Sequence, residues 1–152
     1  MELRKVKKKD VELLFNWAND SSVRKNAINS NSIEWENHTK WFNHKIKSND
    51  SFIYILEEDQ TPVGQIRFDK TDEGYLIDYS IDLVFRKKGY GTKIVKYGCD
   101  ALKKEFHTVI TILAEVKDIN IGSSKIFLNL GFTLIKEQTI SKQFFYTYKK
   151  VV

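Results

Sequence analysis

The segment Arg86-Lys87-Lys88-Gly89-Tyr90-Gly91-Thr92 carries the strongest chemical signal in the chain. Glycines at a strand-to-helix junction let the backbone turn tightly and leave amide N–H groups unshielded. The helix start adds partial positive charge, and Arg86, Lys87 and Lys88 add full charges. Such a junction can cradle a pyrophosphate. It is not a Walker loop, because the Gly-Lys-Ser/Thr ending is missing, nor a dinucleotide fingerprint, because only two glycines are present without a Rossmann repeat. Taken alone, it also reads as a basic loop with a glycine turn. A second signal lies downstream in Glu115-Val116-Lys117-Asp118-Ile119-Asn120, then Ser123, Phe127 and Gly131-Phe132. Asn120 or Ser123 suits a helix N-cap, Gly131 a left-handed C′ position and Phe132 the core. The two signals in this order, separated by one helix and one strand, are far more specific than either alone.

The elements around them follow from periodicity. Leu3 to Val6 reads as a first strand, with Asp10 as the N-cap of a helix bearing Val11, Leu14 and Ala18, beside Leu13 and Trp17. Asn19-Asp20-Ser21-Ser22 breaks that helix, and residues 26–32 are polar without a period of their own. Asn31 or Ser32 is then predicted to cap a helix whose stripe is Trp35, Thr39, Phe42 and Ile46, with His38, Trp41 and Lys45 adjoining. Residues 52–57, 63–68 and 75–85 read as antiparallel strands joined by the turns at 58–62 and 70–74. After Gly91 a helical face returns through Ile94, Val95, Gly98, Leu102 and Phe106. A strand over 109–116, a helix over 121–130 and strands over 132–140 and 144–150 complete the chain. Leading helices, a meander and a strand–helix–strand crossover make an α/β fold with a mixed sheet. No repeat or linker marks a second domain, so residues 1–152 read as one.

Composition excludes several classes. With 152 residues, 41% of them hydrophobic, the chain can bury a core without staples. Cys99 is the only cysteine, so there is no disulfide framework, and a reduced cytoplasmic setting is expected. The basic N-terminus has no apolar h-region behind it, and no apolar run approaches the roughly 20 residues that span a bilayer, so a soluble protein is expected. The net charge of +5 is scattered among nearly as many acids, which argues against nucleic-acid binding. No Cys/His/Asp/Glu cluster has metal-ligand spacing, so no metal is expected. There is no Gly-x-Ser-x-Gly elbow, and Cys99 falls mid-helix, so a covalent nucleophile is not expected either.

The paired signals resemble the coenzyme-A-binding core of the GNAT N-acetyltransferases. That family has an Arg/Gln-x-x-Gly-x-Gly/Ala loop after its fourth strand and an Asn-x-x-Ser helix ending in Gly-Phe after its fifth. The resemblance spans nearly the whole chain. It implies a mostly antiparallel sheet of about seven strands, with a central parallel pair, flanked by helices. It implies acetyl-CoA as co-substrate, with Arg86 and the amides from Lys87 to Thr92, through Lys88, Gly89, Tyr90 and Gly91, on the pyrophosphate. Ile81, Asp82 and Leu83 would pair with the pantetheine arm as another strand would, while Asn120, with Ser123 and Phe127, would contact the arm or the thioester region.

The first half narrows the resemblance. Leu13-Leu14-Phe15-Asn16-Trp17-Ala18-Asn19-Asp20, Val23-Arg24, Asn29-Ser30 and Glu36-Asn37-His38-Thr39-Lys40-Trp41-Phe42 look like the sugar-nucleotide N-acetyltransferases of pseudaminic acid and related surface-glycan biosynthesis. More loosely they resemble the ribosomal-protein N-terminal acetyltransferases. The first branch implies a nucleotide-linked amino sugar as acceptor, its diphosphate met by Arg24, Lys25 or Lys45, with His38 and Trp41 on the acceptor wall. His38 reads more readily as a surface side chain, and Trp17, Trp35 and Trp41 more readily as core. The alternatives are a protein N-terminus or a small amine as acceptor, or a non-catalytic acyl-CoA-binding module.

Direct transfer in a ternary complex needs a neutral amine, a proton acceptor and a donor for the leaving thiolate. The ribosomal-protein branch has its proton acceptor five residues before the motif asparagine, where this chain has Glu115. Glu115 also reads as a surface carboxylate pairing with Lys117 or Lys125. Asp78 and Asp82 are rival bases, since other members place their carboxylate on that strand. The tyrosine that branch uses as proton donor, seven residues after the asparagine, is replaced by Phe127, which leaves Tyr79, Tyr90, a water or another group to substitute. A monomer or homodimer is expected.

Overall fold

The computed structural model describes residues 1–152. Strand β1 (Glu2–Lys5) leads into helices α1 (Val11–Ala18), α2 (Ser21–Asn26) and α3 (Trp35–Lys47). The meander of β2 (Ser51–Glu58), β3 (Thr61–Thr71) and β4 (Gly74–Ile81) follows. Then come α4 (Tyr90–Glu105), β5 (Thr111–Lys117), α5 (Ile121–Asn129), β6 (Thr133–Ile140) and β7 (Gln143–Val151). The strands form one seven-stranded sheet in the order β1-β2-β3-β4-β5-β7-β6, parallel only between β4 and β5.

Alternation along the strands divides the core in two, because successive side chains leave a strand on opposite faces. Tyr54, Leu56, Ile66, Phe68, Ile77, Ile112, Ala114 and Val116 join Ile94, Val95 and Leu102 of α4 in the larger core. On the other face Ile53 and Ile55 meet Leu14, Trp17 and Phe42 from α1 and α3. Helix α4 lies close on β3 because residue 98 is glycine: a Cβ there would stand 2.6 Å from Ile66 Cδ1.

The feature that makes a site is a short pairing. β4 pairs with β3 over its whole length, from Gly74 to Ile81. It pairs with β5 only at Tyr75↔Ile112 and Leu76↔Leu113. β5 continues to Lys117 against β7 instead. Past Leu76 the parallel strands therefore part, a wedge opens between them, and one edge of β4 is left without a ladder partner.

Four local expectations are corrected. The fourth strand ends at Ile81 instead of Phe85: the Asp82 carboxylate accepts the Val84 N–H at 3.1 Å and starts a 3-10 turn over Leu83–Phe85. Asp10 does not cap α1 with its side chain, which instead takes two bonds from Arg4, at 2.8 and 2.9 Å, and the Lys7 N–H at 2.7 Å. The predicted break at 19–22 is a helix boundary, because Asp20 caps α2 through the amides of Ser22 and Val23. Helix α3 starts at Trp35 without a cap from Asn31 or Ser32, and its buried residues are His38 and Phe42, while Trp35 is exposed. Its entry is pinned by Asn19, which both accepts from and donates to the backbone of Ile33 at 2.7 and 2.9 Å.

Candidate active site

The wedge is part of a cavity of about 980 Å³ that runs from the start of α4 to the helices α1–α3. At its α4 end the first helical amides have no carbonyl one turn back to bond, so they are free for an anion. Gly89 precedes them with φ 83° and ψ 2°, a left-handed conformation that glycine adopts at little cost, and a Cβ there would meet nothing within 4 Å. Lys87, Gly89, Tyr90, Gly91 and Thr92 all line the cavity. Lys88 does not; its ammonium sits 5.8 Å over the Phe85 ring. Gly91 faces α5, where a Cβ would stand 2.8 Å from Ile126 Cδ1.

Arg86 also lines the cavity, but its guanidinium already has partners. Its Nε donates to the Ile81 carbonyl at 2.8 Å, one terminal nitrogen donates to the Ser22 hydroxyl, and the other lies 3.1 Å from Asp20. Each of its three nitrogens thus has a partner at the start of α2 or on the β4 backbone. Ile81 lines the wedge, but Asp82 and Leu83 do not: Leu83 is 66% exposed, and the free strand edge stops at Ile81. Asp82 is also a poor base, because its carboxylate accepts the Trp17 indole N–H at 2.8 Å in addition to the Val84 amide.

Glu115 and Asp78 project into the cavity from the two sides of the wedge. Glu115 has neither an ion pair nor a side-chain hydrogen bond; the pairing weighed for it with Lys117 does not form, since that ammonium donates to the Lys25 carbonyl at 2.6 Å. Asp78 accepts from Gln65 at 3.1 Å and lies 3.7 Å from Arg67, half-exposed. Arg67 also stacks 5.1 Å from the Trp41 ring centroid and bonds Asp69 at 2.7 Å.

On the opposite side of the wedge the Tyr79 and Ser123 hydroxyls are hydrogen-bonded at 2.7 Å. Burial pushes the Tyr79 phenol up, against the pull of Ser123, and the Asp78 charge adds to the rise. The Tyr79 ring stands edge-on to Phe127, centroids 5.9 Å apart. Phe127 borders the cavity but is itself core, packed on Phe132 and Tyr148. Asn120 lines the cavity while its side-chain oxygen caps α5 through the Ser123 amide at 3.3 Å. Tyr90 is buried edge-on to Phe85. Cys99 is buried in α4, and its thiol is pushed up to about 12 by burial, which suits packing and not nucleophilic work.

The acceptor half departs from the sequence reading in three places. His38 borders the cavity, as Trp41 does, but it is a buried side chain, 2% exposed, not a surface one: its Nε2 meets the Val11 carbonyl at 2.8 Å, amid Phe15, Trp35, Trp41 and Phe42. Burial lowers its pKa against the pull of that carbonyl, so the neutral ring donating to Val11 is favoured. Lys45 is tied to Asp69 at 2.7 Å and does not line the cavity, and neither does Lys25, which is exposed. Arg24 does line it, donating to the carbonyls of Ala18, Asn29 and Asn31 at 2.7, 3.2 and 3.3 Å, with no carboxylate in ion-pair range. Burial pulls its pKa down, partly offset by Asp78.

Sequence reading missed Lys117, Gln65 and Arg67. Lys117 is 6% exposed, lines the cavity and has no carboxylate partner; burial lowers its pKa. Its position two residues after Glu115 on one strand puts both on one face, and that spacing was the available signal. Gln65 and Arg67 sit on a strand whose pattern gave no reason to single them out.

The family model described as the acetyltransferase (GNAT) domain matches residues 1–133. No curated protein sequence matches the chain. Among solved structures, spermidine N-acetyltransferase from Vibrio cholerae, in complex with CoA and spermine, superposes with TM-score 0.86 at 14% identity, over 99% of this chain and 94% of that one. Ribosomal-protein-alanine N-acetyltransferase from Brucella melitensis gives 0.83 at 14% identity, covering all of both chains. A domain from Methanocaldococcus jannaschii gives 0.81 at 23% identity, over 99% and 97%. At these identities the likeness is one of fold.

Proposed function

As a member of the GNAT acetyltransferase family, the chain is an acetyl-CoA-dependent N-acetyltransferase, and we propose that Glu115 takes the proton of its acceptor amine while Tyr79 gives one to the leaving thiolate. Acetyl-CoA, when bound, supplies the activated acetyl group. The residues present suit it: open amides at Gly89–Thr92 for its pyrophosphate, and the unladdered edge of β4 up to Ile81 for an extended, amide-bearing arm. The observation that carries the reading is continuity. One cavity is lined both by the start of α4 and by an unpartnered carboxylate, Glu115.

An ammonium has no lone pair, so a base must act before or during attack. Glu115 is held by no other group and is free to accept that proton. Tyr79, kept protonated by its burial, donates, and Ser123 beside it can pass a replacement proton inward. Glu115→Gln keeps the shape and removes the acceptor. Its kcat should fall by about 10² or more, the usual scale for a lost general base, with CoA affinity unchanged by calorimetry. Turnover within a few-fold of wild type would move the role to Asp78 or to water.

The acceptor we propose is a nucleotide-linked amino sugar. Support comes from Arg24 and Lys117, two cavity cations without carboxylate partners, whose free N–H groups suit a phosphate. A second reading, a small cationic amine or a protein N-terminus, draws on the half-exposed Asp78 in the same cavity. The spermidine and ribosomal-protein-alanine relatives act on acceptors of that kind.

A further inference from the structure

We propose that Arg86 is a positioning residue that ties the acceptor wall to the phosphate-binding loop, and not a ligand of the cofactor's phosphates. Arg86 lines the cavity, and all three guanidinium nitrogens already have partners within the protein: the Ile81 carbonyl, the Ser22 hydroxyl and the Asp20 carboxylate. Asp20 in turn accepts the amides of Ser22 and Val23, at 3.0 and 3.4 Å, and the Ser22 hydroxyl. One guanidinium thus closes a ring over the N-terminus of α2. The Ser22 hydroxyl, against desolvation, and then Arg86 hold the Asp20 carboxyl below its usual range.

Helix α2 has six residues, too few to hold its shape without outside contacts. It is fastened at its end by Lys117 on the Lys25 carbonyl and at its start by Arg86 alone among side chains outside the segment. Ser22, Val23, Arg24 and Asn26 of α2 line the acceptor half of the cavity. Arg86 belongs to the loop that leads directly into the free amides of α4. Fixing that loop with a pyrophosphate therefore fixes Arg86, and through it the start of the acceptor wall. A second link runs parallel, from Trp17 of α1 to Asp82 at 2.8 Å. The acceptor wall is best formed once the loop is occupied, so coenzyme A binding should strengthen acceptor binding.

The test uses Arg86→Ala, Asp20→Asn and the double variant, with Arg86→Lys as a milder change should the alanine variant fail to fold. Coenzyme A affinity is measured by calorimetry, and amide hydrogen exchange over 21–26 with and without coenzyme A. Coenzyme A should slow exchange there in wild type. In Arg86→Ala that slowing should vanish while the dissociation constant changes less than about threefold. Asp20→Asn should behave alike, and the double variant no worse, as expected for one coupled pair. The idea is overturned if Arg86→Ala weakens coenzyme A binding about tenfold or more, which would make Arg86 a phosphate ligand. It is equally overturned if coenzyme A leaves exchange over 21–26 unchanged in wild type, or slows it to the same degree in Arg86→Ala. These two readouts need no acceptor, so they stand apart from the assignment of Glu115 and of the acceptor. Where turnover is measured, the acceptor KM should rise about tenfold with kcat little changed, and wild-type KM would count against the proposal.

Discussion

At the scale of single residues, the notable substitution is Phe127 where the resembling branch has its proton donor. The chain fills that place with core: Phe127 is 2% exposed and makes three aromatic contacts. A cavity-lining hydroxyl stands one ring away, on Tyr79, bonded to Ser123. If Tyr79 protonates the thiolate, Tyr79→Phe should lower kcat by about tenfold to a hundredfold while leaving the KM for acetyl-CoA within a few-fold. Since burial raises the Tyr79 pKa, its loss of a proton should not limit wild-type kcat until above the ordinary tyrosine range near pH 10. An unchanged kcat in Tyr79→Phe, measured by thiol release across pH, would assign the proton to solvent.

Elements decide where those residues meet. The start of α4 suits an anion because a left-handed Gly89 leads the chain into the helix with no side-chain cap on its first amides. Of the two glycines, Gly89 is the one that tests this cleanly. Gly91 backs onto Ile126, so a side chain there would push α4 and α5 apart as well as block a ligand. Gly89→Asp adds only charge and a strained φ of 83°, a conformation that Asp tolerates at a cost of about 1–2 kcal/mol. The melting temperature should drop by about 2–4 °C per kcal/mol, while coenzyme A affinity falls more than about tenfold from like charge at the helix start. A full melt, or unchanged affinity, would separate a folding role from an anion-binding one.

For the molecule as a whole, the proposed acceptor makes a prediction about charge. Arg24 and Lys117 stand on the acceptor side without counterions, and the chain carries a net +5. A polycation such as spermidine meets repulsion there that a sugar nucleotide does not, so kcat/KM should favour a UDP-linked amino sugar over both the free amino sugar and spermidine. The preference should shrink as salt rises from about 0.05 to 0.5 M, because screening reaches a few ångströms at high salt. A higher kcat/KM for spermidine or a peptide N-terminus would favour the small-amine reading. Much of this architecture could be read from residue order. Period-2 and period-3.6 patterns, the glycine loop and the Asn120-x-x-Ser123 helix are local, set by neighbours along the chain, and they specified the sheet, the crossover and the phosphate end. What depended on distant partners did not show. His38 buried among four aromatic rings and Arg86 bonded to Asp20 and Ser22 at the start of α2 each depend on contacts from residues far along the chain or on another element. The wedge itself exists because β4 and β5 stop pairing after two residues, a register that hydrophobic alternation on either strand does not encode.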